Sequence, residues 1–184
     1  VLSGPPPADA LPESLDGLVY CPGSIRLAPF ERIKDVDFEA DWTINLAGAV
    51  QAIRAALPAL RASGAGSIVL FSTTAVRTGM PMHASVAAAK GAVEGLTRAL
   101  AAEFAPKVRV NCIAPSLTDT PLAGRLLRTD TQRKAAAERH PLGRVGTAEE
   151  LAAAAAWLLS SESAFMSGEV LHLDGGIGAL RLFK

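Results

Sequence analysis

The chain is poor in the residues that usually announce chemistry. Among 184 residues there are one tyrosine, two cysteines and three histidines, and aromatics make up 5%. His83, His140 and His172 show no metal-ligand spacing, so no metal site is expected. Cys21 and Cys112 stand singly inside apolar, strand-like runs, and no stretch resembles a secretory leader; both read as buried free thiols rather than a disulfide. Neither sign of charge is in excess, with 18 basic and 18 acidic side chains, which argues against a nucleic-acid partner. No apolar run reaches the ~20 residues of a membrane span. Glycine is dense only at Gly4, around Gly64 and Gly66, and from Gly175 to Gly178; none of these spots lies between a strand and a helix, as a phosphate-cradling loop does. What is present is a composition 49% hydrophobic, too apolar for disorder and long enough for one domain, 1–184, with a sizeable core. The expectation is a soluble cytoplasmic protein.

Alternating apolar runs and amphipathic stretches follow a proline-rich connector, residues 1–15. Leu18-Val19-Tyr20 reads as a strand between Asp16-Gly17 and Pro22-Gly23. An amphipathic helix is expected from Phe38 to about Arg61, a buried strand at 67–71, and a helix over roughly 84–104 that Pro106 stops. Val108, Val110 and Cys112 begin a third strand; the loop 114–130 is irregular, and 131–139 is a short polar helix. Thr147 and Glu150 form a capping box that opens an alanine-rich helix to about Leu159, and a last strand runs from Glu169 to Leu173. The alternation predicts α/β architecture, a parallel, doubly wound sheet with right-handed crossovers.

Residues 66–100 carry the chemistry. The run Ile68-Val69-Leu70-Phe71 delivers Ser72, Thr73 and Thr74 to the carboxyl end of a strand, where open α/β sheets bind ligands; Lys90 lies on the following helix. Ser72-Thr73 followed by Ala88-Ala89-Lys90-Gly91-Ala92-Val93-Glu94-Gly95-Leu96 resembles the active-site segment of the short-chain dehydrogenase/reductase family. That family places a tyrosine four residues before the lysine and a serine thirteen before the tyrosine; here those positions hold Val86 and Thr73. Val110-Asn111-Cys112-Ile113-Ala114-Pro115 resembles the family's strand and turn facing nicotinamide, with Ser116 for the usual glycine and Thr120 on the cofactor-contacting threonine. Asn111 reads as structural, tying a loop to the sheet. Tyr20-Cys21-Pro22-Gly23 stands where the family has Asn-Asn-Ala-Gly, and only Gly23 matches; a plain strand-ending turn explains it equally. The closing Asp174-Gly175-Gly176 resembles a segment the family uses for subunit packing.

The resemblance implies a Rossmann-like fold and NAD(P)-dependent interconversion of a small-molecule alcohol and ketone, with NAD or NADP as cofactor. It assigns Asn45 a water of the proton relay, Thr73 (or Ser72) the substrate oxygen, and Lys90 the nicotinamide ribose; Gly23, Pro115, Ser116 and Thr120 line the cofactor. Each has a plainer alternative: a solvent-facing asparagine at 45, a lysine snorkelling along its helix at 90. His83 and Ser85 are the nearby groups that could replace a lost acid, and His83 reads as a loop histidine. With Val86 at the tyrosine position, a non-catalytic cofactor-sensing or interaction scaffold stays open beside the enzyme. The resemblance also implies a homodimer or homotetramer. It covers the last two-thirds of a family member, so the expectation is ~50–70 further residues upstream, two βα units with the glycine-rich loop.

Overall fold

The computed structural model describes residues 10–183. Strand β1 is Gly17–Tyr20, and helix α1 is Asp35–Trp42. A π-helical turn, Thr43–Ala47, leads without a break into α2, Gly48–Ser63. After these come β2 (Gly66–Phe71), the short α3 (Thr74–Thr78), α4 (Ala84–Phe104) and β3 (Val108–Pro115). The remainder is β4 (Thr118–Asp119), α5 (Asp130–Glu138), β5 (Gly146–Thr147), α6 (Ala148–Leu159) and β6 (Val170–Leu173). Four strands pair in parallel in the order β1-β2-β3-β6, with Leu18 beside Ile68, Ile68 beside Val110, and Cys112 beside Val170.

Alternation along the strands decides what each face buries. Ile68 and Leu70 of β2, with Val108, Val110 and Cys112 of β3, meet Ala49, Ile53, Ala56 and Leu60 of α2 and Val93, Ala101 and Phe104 of α4. Val69 and Ile113 turn to the other face, against Ala155 and Leu158 of α6. Helices cover both faces, so the central strands are apolar throughout, as parallel strands must be. The carboxyl ends of β1, β2 and β3 open together beside the start of α4.

Several expectations change. The single helix expected from Phe38 to Arg61 is α1 and α2 joined by the π turn. Its cause is local: the Asn45 side-chain amide donates to the Asp41 carbonyl (2.8 Å), the acceptor that residue 45's own backbone N–H would take in an α-helix. The ladder slips to i→i−5, and the Gly48 N–H bonds the Thr43 carbonyl. Within the loop expected over 114–130, β4 pairs with β5 in a separate two-stranded sheet. The tail of the connector is anchored: the Leu15 N–H donates to the Ala59 carbonyl, and Leu11 and Leu15 pack on the core; the first nine residues lie outside those described. Cys112 is buried, but Cys21 is exposed, because β1 ends at Tyr20 and the next residue belongs to the crevice rim.

Candidate functional site

The site assembles from the ends of three strands and the adjoining helices. Lys90 is one helical turn after Val86, and both are buried, at 7% and 6% exposure. The snorkelling alternative fails on that burial. The Lys90 Nζ donates to the Phe71 carbonyl at the end of β2 (2.7 Å). Burial holds Lys90 down from its ordinary value to about 8, with the thiols Cys112 and Cys21 pulling the other way. Burial pushes Cys112 itself up to about 12, so it is uncharged near neutrality and its pull vanishes there. Lys90 forms no ion pair with any carboxylate among the described residues.

Gly23 comes to the same point. A Cβ built there would lie 3.2 Å from Asn45 Oδ1 and 3.4 Å from Lys90 Nζ, so the loop after β1 comes into close contact with both side chains, and glycine spares Asn45 a tight approach. Asn45 is 1% exposed, which excludes the solvent-facing alternative. Its Nδ2 also donates to Ser24 Oγ (2.8 Å), and Ser24 Oγ donates to Asp41 Oδ1 (2.6 Å). The other carboxylate oxygen of Asp41 accepts from Ser85 Oγ (2.6 Å), and Arg26 Nε lies 4.0 Å from Asp41 Oδ1. Asp41 thereby ties the loop after β1 to the residue preceding Val86.

Sequence reasoning passed over Asp41 and Ser24. A signal was available: Asp41 and Asn45 continue, in steps of four, the buried line of Ala49 and Ile53. Polar groups on a buried line need partners, and so mark a network.

The hydroxyls after β2 separate. Ser72 is buried and donates to Glu94 Oε1 (2.7 Å). Thr73 caps α3, its oxygen accepting from the Ala75 N–H (3.3 Å), which leaves its own O–H to donate. Of the two, Thr73 can still hold a substrate oxygen. Pro115 ends β3 beside Leu173, and Ser116 follows. Ser116 Oγ lies 2.9 Å from the Nε2 of buried His140, whose Nδ1 lies 2.8 Å from the Ala136 carbonyl; an N–H at Nδ1 makes Ser116 the donor to Nε2. Ser116 also borders a cavity of about 270 Å³ shared with Leu142, Leu151 and Asp174, whose walls include none of Asn45, Thr73 or Lys90. Thr120 spends its side chain locally, accepting from the Ala123 N–H and donating to the Thr118 carbonyl, both at 3.4 Å. The structure therefore joins Gly23, Asn45 and Lys90 and sets Thr73, Pro115 and Ser116 at neighbouring strand ends, while Thr120 is turned to its own loop. His83 stands at the N-cap position of α4 without a side-chain capping bond, its Nδ1 2.8 Å from the Pro81 carbonyl in the preceding turn.

A parallel sheet covered on both faces, with a buried lysine and an asparagine at its carboxyl edge, defines an α/β protein of the doubly wound class. Residues 8–178 match a family model described as enoyl-(acyl carrier protein) reductase. The chain is 38% identical over 176 residues to 2-(S)-hydroxypropyl-CoM dehydrogenase 3 of Xanthobacter autotrophicus, covering 91% of this chain and 68% of that one. The same organism's inactive 2-(S)-hydroxypropyl-CoM dehydrogenase 2 is 37% identical over 175 residues, covering 90% and 74%. Among solved structures, a gluconate 5-dehydrogenase from Burkholderia cenocepacia in complex with NADP and tartrate superposes with a TM-score of 0.85 at 31% identity, over 91% of this chain and 66% of that one. The chain belongs to the short-chain dehydrogenase/reductase family, and it spans about two-thirds of the length of the curated relatives it matches.

Proposed function

We propose that this protein is an oxidoreductase that interconverts a small-molecule alcohol and its ketone with NAD or NADP. The observation that carries this reading is the convergence of Lys90 Nζ, Asn45 and Gly23 at the carboxyl ends of β1 and β2. These residues fit the ribose–nicotinamide end of such a cofactor: Lys90 gives one N–H to Phe71 and keeps donors for ribose hydroxyls, and Gly23 leaves its backbone bare toward them. A bound nicotinamide dinucleotide would supply the hydride. Thr73 holds the substrate oxygen with its O–H, while Pro115 and Ser116 border the nicotinamide; Thr120 joins them if its loop turns toward the cofactor. The structure with bound NADP and the dehydrogenase relative support the same chemistry. The protein acts in the cytoplasm as a homodimer or homotetramer.

Val86 favours a second reading, a non-catalytic relative that binds the dinucleotide and serves as a sensor or scaffold; an inactive dehydrogenase among the relatives supports it. Two measurements decide. Fluorescence titration of the full-length protein with NADH and NADPH should show saturable binding, and its absence would sink both readings. Ketone reduction by the parent beside Val86→Tyr, which restores a phenol, separates them. The enzyme reading expects measurable parental turnover, raised ~10²-fold in the variant, at the low end of what general acid–base catalysis contributes. A parent that binds but never turns over is the scaffold.

A further inference from the structure

Asp41 is 1% exposed, and each of its carboxylate oxygens accepts from a serine hydroxyl at 2.6 Å, Oδ1 from Ser24 and Oδ2 from Ser85. The guanidinium of Arg26 stands off, its Nε 4.0 Å from Oδ1 while its Nη1 donates to Asp37. Burying a carboxylate is costly even when donors surround it. Ala49 and Ile53 continue the same buried line, where an apolar side chain of similar size would fill the place at less cost. Stability alone does not account for an acid here.

The two serines belong to two segments that meet at the candidate site. Ser24 follows Gly23, whose α-carbon stands close against Asn45 and Lys90. Ser85 precedes Val86 at the start of α4, and at 1% exposure its hydroxyl communicates with the loop through Asp41 alone. A second tie runs beside the first. The Ala28 N–H donates to the Met82 carbonyl (3.1 Å), and Met82 holds a φ of 66°, in the left-handed region that bulky side chains avoid. Asn45 completes the junction, its Nδ2 donating both to Ser24 Oγ and to the Asp41 carbonyl. The loop after β1 is thus laid across the beginning of α4 and pinned there.

Resting on the oxidoreductase reading above, we propose that Asp41 is a positioning residue for the dinucleotide, its carboxylate holding Ser24 and Ser85 at once and so fixing the Gly23 loop against α4. It touches neither cofactor nor substrate. What it sets is the place of the Gly23 backbone relative to Lys90, the two groups that meet the ribose in that reading. The bridge needs two hydrogen-bonding ends rather than a charge. Asparagine keeps both, since its oxygen accepts from one serine and its amide donates to the other, whose hydroxyl turns to accept. Valine keeps most of the bulk and removes the bridge.

The test titrates the full-length protein with NADPH and NADH by fluorescence, beside circular dichroism and thermal unfolding of each variant. Asp41→Val should bind about tenfold more weakly than the parent, the size of the coupling found within one hydrogen-bond network, whereas Asp41→Asn should stay within about threefold. Ser85→Ala, which removes no group in reach of the cofactor, should weaken binding about tenfold as Ser24→Ala does, and both serine changes should be silent in the Asp41→Val background. A residue that only stabilises the fold would lower the melting temperature and leave these affinities alone. Asp41→Val or Ser85→Ala binding within twofold of the parent would therefore overturn the proposal. So would serine effects that persist undiminished without Asp41, or an Asp41→Asn variant as weak as Asp41→Val. Should Asp41→Val lose its circular dichroism, Ser24→Ala and Ser85→Ala decide alone, and either one binding like the parent overturns it. A parent that binds neither dinucleotide would instead remove the reading on which the proposal rests.

Discussion

At the scale of single residues, Lys90 gives the protein a measurable cost. Its charge is disfavoured by burial, so its folded pKa, about 8, lies below the 10.5 of the unfolded chain. Below about pH 8 the lysine is protonated in both states, and the folded one carries the whole penalty. Between 8 and 10.5 the unfolded chain holds the proton that the folded one has released, so stability rises with pH and the penalty fades. Cys112 acts in the opposite sense, its raised thiol costing stability as pH climbs above 9.0. Comparison with Lys90→Met removes the part of that contribution due to burial and leaves the part by which Lys90 draws the thiol down. The stability advantage of Lys90→Met should shrink by ~3 kcal/mol between pH 8 and 10.5, because a tenfold change in proton affinity between the two states corresponds to ~1.4 kcal/mol. Denaturant unfolding at several pH values measures it, and a pH-independent difference would contradict the buried-cation account. Lys90 and Val86 were legible as a matched pair of positions in the sequence. The burial of Lys90 was not, because a lysine on an alanine-rich helix has the same pattern whether its end is wet or enclosed. Asn111 was legible from its motif: its Nδ2 donates to the Met166 carbonyl (3.0 Å) and its Oδ1 accepts from the Glu169 N–H (3.1 Å), tying the loop before β6 to β3.

At the scale of elements, the α1–α2 unit shows how one amide reshapes a helix and a site together. Asp41, Asn45, Ala49 and Ile53 are all buried, and the span from Asp41 to Ile53 is about one residue longer than three α-helical turns. The π turn absorbs that residue, and the Ile44 carbonyl within it accepts the Tyr20 hydroxyl. The periodicity of the sequence reveals a long helix but not its slip, since an apolar pattern tolerates one extra residue. Asn45→Ala should therefore act at two places. It removes the donor shared by Ser24 Oγ and the Asp41 carbonyl in a buried site, at a cost of ~1–3 kcal/mol. It also frees the loop that brings Gly23 to Lys90, so NAD(P)H affinity should fall about tenfold. Thermal unfolding and fluorescence titration read the two effects. A variant as stable as the parent and binding as tightly would show that the amide organises nothing. The capping box at Thr147 and Glu150, by contrast, was legible in full: Thr147 Oγ1 accepts from the Glu150 N–H (3.3 Å), and Glu150 Oε2 accepts from the Thr147 N–H (2.9 Å). Capping depends on residues three apart, and so survives without tertiary knowledge.

At the scale of the molecule, the four strands of the main sheet were legible because each is an apolar run bounded by turn residues. The β4–β5 pair was not, since two residues carry no period. The outer surface of α4 raises a different question. Its inner side buries Val86, Ala89, Val93, Thr97, Ala101 and Phe104. On the other side, Ala88, Ala92, Gly95, Ala99 and Ala102 are exposed or half-buried and recur in steps of four and three, the spacing of a helix–helix seam. Small side chains let two backbones approach closely, and α1, which packs beside α4, exposes Trp42 and Val36 at 50% and 61%. A two-fold contact uses one patch twice, so a face with small residues on one helix and large apolar ones on its neighbour is suited to its own copy. The full-length protein should therefore be a dimer or tetramer at micromolar concentration, associating through α1, α2 and α4. Ala88→Arg places a guanidinium on the seam and should shift the mass measured by light scattering to that of the monomer, with the circular dichroism of the fold retained. A parent already monomeric under those conditions would refute the interface, and so would an Ala88→Arg variant that keeps the parent's mass.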